Sequence, residues 1–271
     1  MPELPEVETT LRGIEPHIKG HQIKDVVIRN KSLRWPIPAS LKKNLSGQML
    51  NEIKRRGKYL LFSTANGTTI LHLGMSGSLR IVESGTPAEK HDHVDIVFEN
   101  NKTLRFRDPR RFGCVLWTAK PVEKHKLISV MGPEPLSDGF TAEYLYQKSR
   151  SRKCTVKSYI MDSKTVTGVG NIYASEALFS AGIMPTRQAG RVSKKRYQLL
   201  VQSIQQVLKL AIEQGGTTLK DFTREDGQPG YFKQSLKVYD RAGQDCIECG
   251  NTIKQKTLNQ RSTYYCSHCQ Q

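Results

Sequence analysis

The sequence is poor in acidic residues and has no long apolar run. It contains 25 Asp and Glu against 42 Lys and Arg, a formal net charge of +17. No apolar run approaches the ~20 residues that a membrane-spanning helix needs, and the acidic start Met1–Glu8 lacks the basic and apolar parts of a signal peptide. These absences predict a cytoplasmic protein without a membrane span. The positive charge predicts a polyanionic partner, nucleic acid first, although a ribosomal surface or an anionic membrane would attract it as well.

Cysteine is scarce over most of the chain, which argues against a disulfide framework. Cys114 and Cys154 stand alone, and the other four cysteines form a C-terminal cluster. Two C-x2-C pairs at the separation of this cluster can close a tetrahedral zinc site on a β-hairpin. Because four thiolates leave no position for water, the predicted zinc ion is structural. No organic cofactor is expected. The spacing is Cys246-x2-Cys249-x16-Cys266-x2-Cys269.

Apolar residues recur first at helical spacing and then at strand spacing. Leu4, Val7, Leu11 and Ile14 predict a helix over residues 4–17, with acidic residues near its start, where the helix dipole favours them. Many short strands follow, which predicts a β-sandwich or a barrel. The predicted strands lie around residues 26–28, 59–62, 69–73, 94–98 and 115–117.

A segment rich in proline and glycine, residues 132–139, separates this β-rich region from a helical one. Asn171 and Ser193 are candidate N-caps of helices that reach about residue 181 and the glycines at 215–216. Residues 215–232 are predicted to form a long polar loop, a kind of segment that often carries function. The chain is therefore predicted to be an α+β protein. Its expected parts are an N-terminal domain over 1–134, a helical domain over 135–235 and a zinc finger over 236–271.

Basic residues gather in four clusters in both halves of the chain. One cluster alone is a solvated surface, but four of them predict a groove between two domains that contacts phosphates along a duplex. A glycine-bearing loop at 165–170 precedes Asn171 and adds backbone N–H groups of the kind that bind anions. The clusters occupy residues 54–58, 102–111, 148–157 and 187–196.

The N-terminus offers a candidate for covalent chemistry. Methionine before proline is normally removed, which leaves Pro2 as a free secondary amine. The pKa of an α-amino group is about 8, well below that of lysine, so an unprotonated fraction exists at neutral pH. Such an amine suits Schiff-base chemistry, with Glu3 and Glu6 as candidate acid and base. A plain helix start explains the same residues, and taken alone this segment favours that simpler interpretation.

Eight motifs in one order along the whole chain resemble the formamidopyrimidine-DNA glycosylase (Fpg/Nei) family. They begin with M-P-E-L-P-E-V-E-T at residue 1 and end with the four-cysteine zinc finger. Between these lie R-R-G-K-Y-L at 55–60, H-L-G-M-S-G at 72–77, K-H-D-H at 90–93, D-P-R-R-F-G at 108–113, G-P-E-P at 132–135 and G-V-G-N-I-Y-A at 168–174.

The resemblance implies a bifunctional DNA glycosylase and AP lyase of base excision repair that acts on oxidised purines in damaged double-stranded DNA. Pro2 would attack C1′ of the damaged nucleoside while Glu3 protonates the sugar. Lys58 would assist β-elimination, and Arg261 on the zinc finger would hold phosphates and assist δ-elimination. The implied DNA-binding residues are Met75, His91, Arg110, Phe112, Arg152, Lys157 and Asn171.

The same resemblance implies the fold and the assembly. An N-terminal helix with a β-sandwich would precede a helix-two-turn-helix region and the zinc finger, in a protein expected to act as a monomer. Met75, Arg110 and Phe112 would fill the hole left by the everted base. Core packing is the alternative for the two apolar side chains, but Phe112 lies between Arg111 and a glycine, an awkward context for a core.

Two rival interpretations are compatible with part of the sequence. A family member that acts on oxidised pyrimidines would share most motifs, but such relatives usually begin M-P-E-G-P-E and lack the Arg-x-Phe of 110–112. A non-catalytic zinc-ribbon DNA-binding protein would explain the charge and the zinc, but not the N-terminal motif or Lys58. The chain also departs from many relatives at Ser158, where they have proline.

Overall fold

The computed structural model describes residues 1–216 and 236–271, which fall into two compact units. The N-terminal unit contains Met1–Ser129 together with Gly215 and Gly216, and the C-terminal unit contains 130–214 and 236–271. Most of the predicted polar loop at 215–232 therefore lies outside the described residues. No helix within the described ranges is long and apolar enough to cross a membrane.

In its described residues, the N-terminal unit has a first helix, α1 (Leu4–Ile18), and two antiparallel four-stranded sheets. The first sheet has the order β1-β6-β7-β5, and the second has the order β2-β3-β4-β8. A short helix, α2 (Leu41–Leu45), follows the first strand. The strands are β1 (Ile23–Ile28), β2 (Glu52–Arg56), β3 (Tyr59–Thr64), β4 (Gly67–His72), β5 (Ser78–Glu83), β6 (Asp92–Phe98), β7 (Lys102–Arg107) and β8 (Cys114–Thr118).

The two sheets and α1 share one apolar core. Of the two folds expected for this region, a β-sandwich or a barrel, the β-sandwich is confirmed. Helix α1 buries the stripe that its 3.6-residue period predicts, including Val7, Leu11 and Ile14. Ile96 from the first sheet and Leu60 from the second belong to the same cluster. Burial of such side chains contributes roughly 1.5–3 kcal/mol each, so this core stabilises the unit without help from a metal.

The C-terminal unit is helical up to residue 214. Ser193 caps its longest helix, as predicted, because its side chain accepts the N–H of Arg196. The prediction for Asn171 was wrong in one respect: the N-cap is Gly170, and Asn171 is the first residue of the helix. The helices are α3 (Ala142–Ser149), α4 (Val156–Met161), α5 (Asn171–Ser180) and α6 (Lys194–Glu213), with 3-10 turns at Val122–Lys124 in the N-terminal unit and Ala189–Arg191 here.

A two-stranded hairpin carries the cysteine cluster at the end of the chain. Strands β9 (Lys254–Leu258) and β10 (Arg261–Tyr265) pair in antiparallel register, with Leu258 opposite Arg261. The two residues between them, Asn259 and Gln260, both have positive φ angles, 48° and 60°. Such angles are typical of a type I′ turn, whose twist matches that of the two strands. The hairpin therefore presents Arg261 directly beside its tip.

Candidate functional site

The first turn of α1 holds the residues predicted to carry the chemistry. Pro2 is buried, and Glu3 and Glu6 are 2% and 0% exposed. Glu3 is the N-cap of the helix, and its N–H donates to Glu6 Oε2 at 2.8 Å as part of a capping box. The fold thus places two carboxylates next to a buried proline. Gly216 packs against this group, since a Cβ at that residue would lie 3.1 Å from Glu6 Oε1.

An arginine ties the turn that carries Lys58 to this helix. Arg55 Nε donates to Glu8 Oε2 on α1 at 2.8 Å, and its Nη1 donates to the carbonyl of Gly57 at 3.1 Å. Burial tends to raise the pKa of Glu8, but the hydrogen bond and charge of Arg55 outweigh it and lower that pKa. Gly57 has a φ of 58° and, with Lys58, forms the two-residue loop between β2 and β3. Lys58 is therefore held in a defined place relative to α1.

His72 is a candidate site residue that the sequence reasoning missed. Its Nδ1 accepts the N–H of Gly74 at 2.9 Å, and its ring lies 4.7 Å from that of Tyr59. Burial, then the charges of Lys58 and Arg34, lower the pKa of His72 to about 4. The ring is neutral at pH 7, and with Nδ1 accepting, the proton is on Nε2, which makes that atom a donor beside Lys58. The motif H-L-G-M contained a signal, because it places a histidine at a strand end directly before a glycine-bearing turn.

The two loops that carry Met75 and Phe112 pack directly against each other. Gly74 has a φ of 68°, and a Cβ there would lie 2.4 Å from the backbone of Phe112 and Gly113. Phe112 is 45% exposed, so it does not belong to the core. The guanidinium carbon of Arg110 lies 5.1 Å from the centre of the Phe112 ring. Met75 is half-buried beside this pair.

Three cations of the second basic cluster are paired with carboxylates of their own unit, which the sequence did not predict. Arg105 is 4% exposed and its guanidinium pairs with Asp95 at 2.9 Å and with Asp92 at 3.6 Å. Lys102 pairs with Glu83, and Arg107 pairs with Glu89. The opposing carboxylates are remote in sequence, so the local run of basic residues concealed them. Within this cluster the exposed cations are Arg110 and Arg111. His91, which precedes the cluster in sequence, is half-buried.

In the C-terminal unit, two predicted DNA-binding residues contact the zinc-finger hairpin. Lys157 is 2% exposed, and its Nζ donates to the carbonyl of Ser262 at 3.1 Å and to Thr263 Oγ1 at 2.8 Å. Asn171 Nδ2 donates to the same carbonyl of Ser262 at 3.0 Å. Both side chains therefore fix the strand that begins at Arg261. A direct phosphate contact of Lys157 and Asn171 stays a prediction. Of the other predicted DNA-binding or catalytic residues of this unit, Arg152 and Arg261 are exposed to solvent.

A further contact holds the hairpin tip. Asn259 Nδ2 donates to Ser158 Oγ at 2.8 Å, and Thr155 Oγ1 donates to the same oxygen at 2.9 Å. A proline at this position would offer no such acceptor. Ser158 therefore gives this chain a connection between α4 and the tip.

The four C-terminal cysteines form one ligand set. Their four sulfur atoms all lie within 4.8 Å of one another. Four thiolates suit a tetrahedral zinc ion and leave no open position, so the ion is structural. The buried carboxylate of Glu176, on α5, accepts backbone N–H groups of the segment that precedes the cysteines, at 2.8–3.0 Å. Burial raises the pKa of Glu176 despite these bonds, which come from Lys237, Val238 and Tyr239.

Three family models match successive parts of the chain. The formamidopyrimidine-DNA glycosylase N-terminal domain matches residues 1–115, the formamidopyrimidine-DNA glycosylase H2TH domain matches 131–223, and a zinc finger found in FPG and IleRS matches 243–271. Together they cover most of the chain. The zinc-finger match and the cysteine cluster together confirm the predicted structural zinc site.

Curated relatives and solved structures agree with these matches. A formamidopyrimidine-DNA glycosylase of Methylococcus capsulatus is 59% identical over 270 residues, which covers 100% of each chain. One of Saccharophagus degradans is 56% identical with the same coverage. The structure of a complex between Lactococcus lactis Fpg and DNA with an abasic site has a TM-score of 0.92 at 32% identity, covering 100% of both chains.

These findings define the class as DNA glycosylases with a helix-two-turn-helix domain and a zinc finger. Within that class, the chain belongs to the formamidopyrimidine-DNA glycosylase family. The fold class expected from the sequence, an α+β protein with these parts, is confirmed.

Proposed function

We propose that this chain removes oxidised purines, such as 8-oxoguanine and formamidopyrimidines, from duplex DNA and then cleaves the strand at the resulting abasic site. Membership of the family supports the glycosylase and AP lyase activities. The single observation that carries the mechanism is the first turn of α1, where Pro2 lies buried beside Glu3 and Glu6. No other segment that we describe combines an amine of low intrinsic pKa with two buried carboxylates.

The proposed reaction begins after Met1 has been removed. The Pro2 nitrogen attacks C1′ of the damaged nucleoside, Glu3 protonates the sugar oxygen as the ring opens, and the base leaves. The resulting iminium is an electron sink, so the C2′ proton becomes acidic and its loss expels the 3′ phosphate. A second elimination expels the 5′ phosphate, and water releases the enzyme. Glu6, through its bond to the Glu3 N–H, holds the turn in which both residues act.

Two cations are assigned to the two eliminations. Lys58 in the hairpin loop supports the first, with the neutral His72 as a hydrogen-bond donor beside it. Arg261 at the zinc-finger hairpin supports the second by holding phosphates. Lys157 and Asn171 contribute by fixing that hairpin. Arg152 and His91 are proposed as further DNA contacts.

Base extrusion is proposed to depend on Met75, Arg110 and Phe112. An extruded base leaves a gap in the stack, which a flexible apolar side chain, an aromatic ring and a planar cation can fill. The exposure of Phe112 and its contact with Arg110 support this assignment. We also propose that the protein acts in the cytoplasm and as a monomer. Light scattering of the free protein and of its DNA complex would test the monomeric state.

Borohydride trapping on duplex DNA with a single 8-oxoguanine tests the nucleophile. Reduction of the iminium should give a stable protein–DNA adduct whose crosslinked residue is Pro2 by peptide mass spectrometry. A chain with an uncleaved extension before Pro2 should not trap, and protease removal of the same extension should restore trapping. Trapping of the extended chain at the wild-type rate would assign the nucleophile to a lysine instead, with Lys58 the first to examine.

Glu3→Gln separates the two steps. Base excision should fall by about 100-fold or more, because a general acid is lost, while strand cleavage of pre-formed abasic DNA should persist. Loss of both activities to the same extent would contradict the role of Glu3 in opening the nucleoside. Activity on oxidised pyrimidines in preference to purines would instead favour the pyrimidine-specific members of the family.

A further inference from the structure

Two buried side chains join the loops that present Met75, Arg110 and Phe112. Ser76 is 4% exposed and Asp108 is 0% exposed. Ser76 Oγ donates to Asp108 Oδ1 at 2.7 Å and accepts the backbone N–H of Arg110 at 3.1 Å. The Ser76 hydroxyl, next to Met75, is thus hydrogen-bonded to two residues of the loop that carries Phe112, Asp108 at its start and Arg110 in its middle.

The carboxylate of Asp108 also closes its own loop. Its Oδ2 accepts the N–H of Gly113 at 2.7 Å, and His93 Nε2 pairs with its backbone oxygen at 2.8 Å. Between these bonds lies Arg111, whose φ of 56° is unusual for a residue with a side chain. Such a conformation persists only where the surrounding contacts determine it. The loop that carries Phe112 is therefore shaped by the side chain of Asp108.

We propose that Ser76 and Asp108 are positioning residues for base extrusion, which lock the two loops into one preorganised wedge. The proposal rests on the proposed function, because a wedge has a task only if a base leaves the stack. Loops that moved independently would have to be ordered during insertion, and the entropy of that ordering would oppose it. With the lock in place, Met75 and the Arg110–Phe112 pair enter the duplex together.

The chemistry of the lock indicates the variants that test it. Ser76→Ala removes one donor and one acceptor, and so leaves the Arg110 N–H and one oxygen of Asp108 without their bonds. Asp108→Leu has a similar size but no acceptor, so it loses both the bond to Ser76 and the bond to Gly113. Ser84→Ala is the matched control, because Ser84 bonds Thr103 at 3.0 Å, away from both loops.

The experiment compares two substrates under single-turnover conditions with the full-length, zinc-loaded enzyme. One duplex carries 8-oxoguanine opposite cytosine, and the other carries an abasic site, which needs no base extrusion. A 2-aminopurine next to the lesion reports the loss of stacking. Phe112→Ala removes the wedge itself, so its activities on the two substrates show what a defect in extrusion looks like. Thermal unfolding of each variant shows whether it is folded.

Ser76→Ala and Asp108→Leu should each slow excision and the change in 2-aminopurine fluorescence about tenfold, as expected for lost buried hydrogen bonds. Their effect on abasic DNA should be less than about twofold. Ser84→Ala should match the wild type on both. Equal losses on the two substrates, or no loss on either in folded variants, would overturn the lock. If the wild type itself excises no lesion, the proposed function fails, and that result is distinct from a failure of the lock alone.

Discussion

Arg105 and Arg150, one in each unit, are held in different ways. On β7 of the N-terminal unit, the guanidinium of Arg105 forms ion pairs with the carboxylates of Asp95 and Asp92. In the C-terminal unit, the guanidinium of Arg150 donates to the carbonyls of Tyr146 and Val192 and stacks 3.8 Å from the Tyr146 ring. Carbonyls and rings orient a cation without cancelling its charge, whereas carboxylates cancel it. The arrangement at Arg105 stabilises a sheet, and the arrangement at Arg150 leaves its positive charge exposed.

The comparison extends to what stabilises each unit. The sandwich has a large apolar core of its own, while the zinc-finger cluster is small and includes two of its cysteines among its buried residues. A small module of this kind depends on its metal, because too little apolar surface is buried to offset the loss of chain entropy. Both differences can be tested by changing one unit at a time.

Removal of zinc should have the largest effect, and it should be confined to the C-terminal unit. Binding of a structural zinc contributes on the order of 10 kcal/mol to folding of such a module, so Cys249→Ser should lose the metal and most DNA affinity. Trp35 and Trp117 both lie in the N-terminal unit, so their fluorescence reports its unfolding alone. That transition should stay at the wild-type denaturant concentration. Full DNA binding by metal-free protein would contradict a structural role for the finger.

Arg105→Ala should produce the next largest effect, in the N-terminal unit. Breaking a buried ion pair leaves Asp95 buried without its main partner, at a cost of about 3–5 kcal/mol. Urea unfolding monitored by tryptophan fluorescence measures this loss. Lys24→Ala, an exposed lysine on the neighbouring part of the same sheet, is the control and should change stability little.

The same variant has a signature in its pH dependence. Burial tends to raise the pKa of Asp95, but the hydrogen bonds of Arg105 and Arg29 lower it below the usual 3.8. A lowered carboxyl pKa adds stability that is present above pH 3.8 and is lost as pH falls through the lower folded pKa. The unfolding free energy of Arg105→Ala should therefore fall less steeply in that acidic range than that of the wild type. An equal slope would assign the stabilisation to other groups.

Arg152→Ala should leave stability nearly unchanged and weaken DNA binding in a salt-dependent way. Each neutralised phosphate contributes about 0.9 to the slope of log affinity against log salt, so the slope should flatten by about one. Arg12→Ala is a matched control, because the exposed Arg12 is already paired with Glu8 at 2.9 Å. An unchanged slope for Arg152→Ala, measured on undamaged duplex, would place Arg152 outside the interface.

Much of the fold followed from local patterns. The helix predicted over residues 4–17 is observed at Leu4–Ile18, and all five predicted strands coincide with observed ones. Strand β7 escaped prediction because its arginines and lysine were interpreted as a phosphate-binding cluster. Only pairing with β6, which brings Asp95 opposite Arg105, makes a basic strand stable in a buried sheet. Such long-range compensation has no local signature.

The candidate site shows the same division. The N-terminal proline with its carboxylates, the zinc cysteines and the exposed Phe112 were identifiable because each depends on residue type and short spacing. The resemblance named Lys157 as a DNA contact, but not its contact with the hairpin, since a buried ammonium that donates to a strand over 100 residues away looks in sequence like any lysine of a basic cluster. Ser76 and Asp108 escaped notice for the same reason.

The sequence by itself determined the first helix, five of the strands and the metal ligands, and it singled out the candidate reacting groups, because periodicity, ligand spacing and intrinsic pKa are local properties. Only the tertiary structure decided which charges are cancelled and which face solvent, and which side chains hold others in place. Those outcomes depend on distances between segments far apart in the chain. A hydrogen bond or an ion pair acts over a few ångströms, so its partner is known only when the fold brings the two segments together.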